Sequence, residues 1–127
     1  MSLDQLPTVN WPRESGEYKV IQLYIDSKPY LRFGEVWGLH ARILMNLLRD
    51  NNILYKTMGR EYDDGYFEVP ALRGDRYQVC GAGKAKIDLE NKSASFGERS
   101  VGYRIGIDKK HLDSIKILQP KWKIELK

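Results

Sequence analysis

His40 is the residue best placed to move a proton. It falls in the middle of an apolar stripe with helical spacing, close to the N-terminal end of that stripe. An imidazole has an unperturbed pKa of about 6.5, which suits a general base or acid at neutral pH. The plainer reading is a core histidine whose ring is satisfied by a backbone carbonyl. Lys19, Arg32 and Arg60 each carry a cation among apolar neighbours. Such cations line phosphate pockets, Arg by its planar fork and Lys as a point charge, although they more often reach solvent. Ser93-Ala94-Ser95-Phe96-Gly97 is small, polar and flanked by bases. Its hydroxyls and amides suit phosphoryl oxygens, and the same segment also suits a hairpin edge.

Other motifs carry less. Cys80-Gly81-Ala82-Gly83-Lys84 lacks the full spacing of a nucleotide phosphate loop, and Ala85 stands where the hydroxyl belongs. Its glycines read as a bulge or a close backbone approach. Cys80 has no neighbour in sequence that would activate it. Glu61, Asp63, Asp64 and Glu68 read as a solvated turn rather than a metal site. No metal or other cofactor is expected.

The elements that must position these residues follow from periodicity. Residues 18–25 are β-branched and aromatic and read as a buried strand, with a short second strand at 30–33. Val36, His40, Ile43, Leu44 and Leu47 share a helical face, so a helix is expected over residues 35–50. Strands are expected over 53–62, 66–69, 77–87 and 101–107, with Asp63-Asp64-Gly65 a turn. Residues 90–92 suit either a turn or a strand running on into 93–97. Asp108 suits the N-cap of a helix over 109–118, which Pro120 ends. Residues 121–127 alternate as a final half-buried strand. The order predicts an α+β domain spanning 1–127: a mainly antiparallel or mixed sheet of about six strands with two helices packed on it. Residues 1–17 read as a loosely packed lead-in.

Composition bounds the function. The 127 residues are 42% hydrophobic and 30% charged, with a formal charge of +4. Global disorder is excluded, and a single Cys80 excludes an internal disulfide or a cysteine-rich zinc site. No apolar run reaches the roughly 18–20 residues of a membrane span, so no membrane partner and a cytoplasmic, reducing location are expected. Residues 84–127 hold eleven Lys/Arg against six Asp/Glu. That excess favours anionic partners, phosphate or nucleic acid.

Several of these signals occur in one order. Pro7, the loop to Gly16 and Tyr18-Lys19 come first. Arg32 stands eight residues before His40-Ala41-Arg42-Ile43. Lys86-Ile87 is followed by Ser93 and Phe96-Gly97, then a helix, a Pro and an alternating strand with an aromatic residue. This arrangement resembles the Janus/Ocnus family of small protein histidine phosphatases. Leu39 and Val101 stand where that family has a tyrosine and a second histidine, and residues 61–83 are longer than its loop. The resemblance implies hydrolysis of phosphohistidine, carried on a protein, or of a small phosphoramidate, without a cofactor. His40 would be the general base. Lys19, Arg32 and either Arg60 or Lys84 would neutralise the phosphoryl oxygens, and the amides of His40 and Ala41 with Ser93 and Ser95 would hold them. Two other readings stand beside it: a non-catalytic anion or phosphoprotein binder of the same fold, and a nucleic-acid-associated accessory protein, for which no recognition motif is present.

Overall fold

The computed structural model describes residues 6–62 and 65–127. Strands β1 (Gly16–Ile25) and β2 (Lys28–Glu35) form an antiparallel hairpin, followed by helix α1 (His40–Asp50). A separate two-stranded hairpin follows, β3 (Thr57–Tyr62) and β4 (Gly65–Pro70). Then come β5 (Tyr77–Asp88), β6 (Ser93–Gly97), the short pair β7 (Arg99–Ser100) and β8 (Ile105–Gly106), α2 (Lys109–Leu118) and β9 (Lys123–Leu126). The main sheet has the order β2-β1-β5-β6-β9, antiparallel except for the parallel pair β6–β9. This is an α+β fold. The main sheet has five strands rather than six, because β3–β4 and β7–β8 pair among themselves.

Strand alternation sorts β1 onto two faces. Ile21, Leu23 and Ile25 join Leu44, Leu47 and Leu48 of α1 in one apolar cluster. Val20 joins Leu31, Phe96, Leu112 and Ile115 in a second cluster beneath α2. Each of these buried apolar side chains contributes about 1.5–3 kcal/mol by leaving water, so the two clusters hold the helices to opposite faces.

Four expectations change. Helix α1 begins at His40, not at residue 35. Gly38 N–H donates to the Glu35 carbonyl in a turn, and Trp37 is 83% exposed, so residues 35–39 enter the helix without extending its buried face. Residues 101–107 are not one strand. Ser100 Oγ accepts from Tyr103 N–H, and Arg104 N–H donates to the Ser100 carbonyl, closing a turn between β7 and β8. Residues 90–92 are a turn, and β3 starts only at Thr57. The lead-in is pinned from Pro7 onward. Val9 bridges Leu31 at the edge of β2, and Trp11 stacks on Trp122 with ring centroids 3.7 Å apart while donating to Gln119 Oε1. Asp63 and Asp64 lie outside the described residues. Among the described residues no helix is long and apolar enough to cross a membrane.

Under α2 lies a buried polar node. His111 Nε2–H donates to the Leu23 carbonyl (3.0 Å) and Nδ1 accepts from Gln22 Nε2 (3.2 Å). Gln22 also donates to the Asp108 carbonyl and accepts from Asp108 N–H, so one amide ties β1 to the start of α2. Asp108 caps the helix by accepting from His111 N–H, as its position before the helix suggests. Burial pulls His111 below its ordinary 6.5. The unfolded chain therefore takes up this proton first, and stability falls as pH drops below 6.5. We expect the urea midpoint to fall through that window. His111→Leu should flatten the fall while lowering the midpoint at every pH. A midpoint independent of pH between 7 and 5 would contradict this assignment.

Candidate active site

His40 is the first residue of α1, following Leu39, which offers no side-chain cap. The first two amides of the helix, those of His40 and the buried Ala41, have no carbonyl one turn earlier in the helix to donate to, whereas Arg42 N–H donates back to the Leu39 carbonyl (3.1 Å). The imidazole is 7% exposed, and its Nε2–H donates to the Gly83 carbonyl of β5 at 2.8 Å. This bond fixes the tautomer. In the neutral ring Nδ1 carries the lone pair, and it has no partner among the described residues. Both sequence readings of His40 therefore hold a part: a backbone carbonyl satisfies one nitrogen, and the ring still lines a cleft.

That cleft has a volume of about 310 Å³. Lys19 and Lys84 lie directly opposite each other on β1 and β5 and line it together with His40. Lys19 Nζ donates to the Gly38 carbonyl, which ties β1 to the turn that presents His40. Burial, then the charge of Lys84, lowers the Lys19 pKa. His40 is held below 6.5 mainly by burial. The Gly83 carbonyl opposes this, and Lys19 and Lys84 add to it. The imidazole is thus neutral at pH 7 beside two ammonium groups. An anion brought between them would relieve their repulsion.

The other residues picked from the sequence go elsewhere. Arg32 is buried, but it donates to the carbonyls of Pro7 (2.7 Å), Thr8 (3.2 Å) and Leu31 (2.6 Å). Burial lowers it to about 10, so it stays charged while clamping the N-terminal strap to β2. It lines a larger groove of about 540 Å³ that shares Leu39 with the cleft but does not include His40. Arg60 belongs to the β3–β4 hairpin opposite Phe67, and its Nε is buried without a partner among the described residues. Of the two candidates for one position, Lys84 reaches the cleft and Arg60 does not. Ser93 and Ser95 pair with Asp88 and Lys86 farther along the sheet, in a depression that also includes Lys123 and Lys127, and neither lines the His40 cleft; Ser95 shares a smaller depression of about 120 Å³ with Lys84 and Glu98. Burial raises the Cys80 thiol to about 12, so it is no nucleophile at neutral pH. Cys80 is skipped in the β1–β5 register, the bulge anticipated for this glycine-flanked stretch.

Arg32→Ala checks the structural role of the guanidinium. We expect it to cost on the order of 3 kcal/mol in unfolding free energy, from three lost charge-assisted bonds, and to leave anion binding at the His40 cleft in place. Loss of anion binding at unchanged stability would reverse the assignment.

The structure adds residues that sequence reasoning passed over. Glu98, Arg99 and Ser100 line the cleft together with His40. Arg99 is steadied by donating to the Arg104 carbonyl (2.9 Å). Their signal was the Glu-Arg-Ser run immediately after Phe96-Gly97, hidden because residues 101–107 read as a strand rather than as a turn that folds this run back. No protein-family model matches the chain, and no curated protein matches it significantly.

Proposed function

We propose that this protein hydrolyses phosphohistidine or a related phosphoramidate in the cleft between Lys19, His40 and Lys84. The observation that carries the reading is the convergence of a neutral imidazole, its Nδ1 unpartnered among the described residues, with two ammonium groups in one small cleft. The resemblance to the protein histidine phosphatases supports the same chemistry.

A phosphoryl group in transfer spreads charge over three oxygens, so positive electrostatics and positioning supply most of the catalysis. Lys19 and Lys84 neutralise those oxygens, and the first amides of α1 add donors at the same end of the helix. A water oxygen bonds to phosphorus and gives one proton to His40 Nδ1. The P–N bond breaks with its electron pair on nitrogen, which takes a proton from solvent. His40 then releases its own proton, leaving orthophosphate and the free amine.

Arg32, Ser93 and Ser95 do not line the cleft, which favours a second reading, an anion-binding protein without turnover. One experiment separates the two. Free phosphohistidine is incubated with the protein and followed by phosphorus NMR. Multiple turnovers to orthophosphate support the hydrolase. Saturable broadening of the phosphohistidine signal with no orthophosphate formed supports the binder and overturns the hydrolase.

A further inference from the structure

Resting on the phosphatase reading, we propose that Glu98 is the specificity-determining residue that accepts the cationic leaving nitrogen and so selects N-phosphorylated over O-phosphorylated substrates. Two observations place it there. Glu98 lines the same cleft as His40 and Lys84. Its Oε1 lies 3.8 Å from Lys84 Nζ, and its side chain is 64% exposed, so it can turn toward a ligand.

The backbone accounts for how Glu98 is held. Gly83 has no Cβ, and one added there would meet the carbonyl oxygens of Gly97 and Glu98. The absence of a side chain lets residues 97–98 close down on β5. The same Gly83 holds His40 through its carbonyl. One glycine therefore sets both the base and the carboxylate.

Two carboxylates share Lys84. Glu17 lies 3.9 Å from its Nζ but does not line the cleft. When a phosphoryl group takes Lys84, Glu98 is released next to the scissile bond. The leaving group of a phosphoramidate is an imidazole, amine or guanidine that carries positive charge once protonated. A carboxylate accepts a charge-assisted hydrogen bond from it. The phenol or alcohol released from a phosphate ester offers no such charge.

The test compares free phosphohistidine with para-nitrophenyl phosphate, using the parent, Glu98→Gln and Glu17→Gln. Glu98→Gln should lower kcat/KM for phosphohistidine about 10-fold and leave that for the ester unchanged or raised. Glu17→Gln frees Lys84 in the same way without touching the leaving group, so it should move both substrates alike. If Glu98→Gln moves both substrates by one factor, or neither, the proposal is overturned and the phosphatase reading stands. If the parent turns over neither substrate, the phosphatase reading falls and the role of Glu98 falls with it.

Discussion

His40→Ala should lower the rate of phosphohistidine hydrolysis by on the order of 10²–10⁴, the usual worth of a general base. The variant also leaves the buried Gly83 carbonyl without its donor, which should cost about 1–3 kcal/mol in unfolding free energy, so the rate is compared under conditions where both proteins are folded. The pH profile of the parent carries the same information. Burial, with the nearby charges of Lys19 and Lys84, holds His40 below 6.5. The base is therefore unprotonated at pH 7, and kcat/KM should stay level on acidification until the pH passes below 6.5. The same sign governs stability. The folded ring binds its proton less readily than the unfolded one, so stability is lost as pH falls through that range. Stopped-flow release of orthophosphate from pH 5 to 8 checks the profile. An acid limb centred above 6.5, or a His40→Ala rate equal to that of the parent, would exclude Nδ1 as the base.

Gly83→Ala should damage both stability and site. The new Cβ would run into the Gly97 carbonyl oxygen, and it would approach the Glu98 carbonyl oxygen and Ile107 Cδ1 at 2.9 Å. Two of these obstacles are backbone atoms of the segment leading out of β6, which cannot swing aside as a flexible side chain would. Overpacking of this kind costs about 3 kcal/mol. The relaxation that reduces the clash would push residues 97–98 off β5 and shift the carbonyl that orients His40. A lower urea midpoint together with weakened orthophosphate binding is expected. An unchanged midpoint would show that the close approach is not required.

How much of this was legible in the sequence depends on the range of the interaction that decides each feature. The two helices, the strand character of β1 and the Asp108 cap are local. Spacing of apolar residues and one capping carboxylate define them within a dozen positions. The start of α1 was misplaced because Val36 and Trp37 have the right spacing for the apolar face, while nothing local reveals that they stay exposed. Strand count failed for a similar reason. Residues 57–62 and 65–70 have strand character, but only tertiary packing decides that they pair with each other and not with the main sheet.

The site was legible in part. His40 and Lys19 stood out by residue type and context, and Lys84 remained one of two alternatives until the β1–β5 register set it opposite Lys19. Arg32 shows the limit of spacing arguments. Its place in β2 was read well enough, yet its guanidinium turns to the strap at residues 7–8, a contact between elements more than twenty residues apart. Ser93 and Ser95 lie on β6 as the segment's composition suggests. Their pairing with Asp88 and Lys86 sets them past Lys84, which faces Gly97, so Ser95 is only a diagonal neighbour of Lys84 and neither serine lines the cleft. Glu98 became visible only through the fold, because its role depends on the missing side chain of Gly83 fifteen residues earlier.

The proposed hydrolysis requires an anion held between Lys19, His40 and Lys84. The direct measurement is a nitrogen-15 spectrum of the histidine rings and lysine ammonium groups during titration with orthophosphate at pH 7. The neutral Nε2–H tautomer of His40 should be present at the outset. Its Nδ1 should shift saturably together with the Lys19 and Lys84 ammonium signals, while His111 stays fixed. If phosphate instead moves Lys86, Lys123 and Lys127 around Ser93 and Ser95 and leaves His40 unmoved, the cleft is not the anion site and the proposed function is wrong.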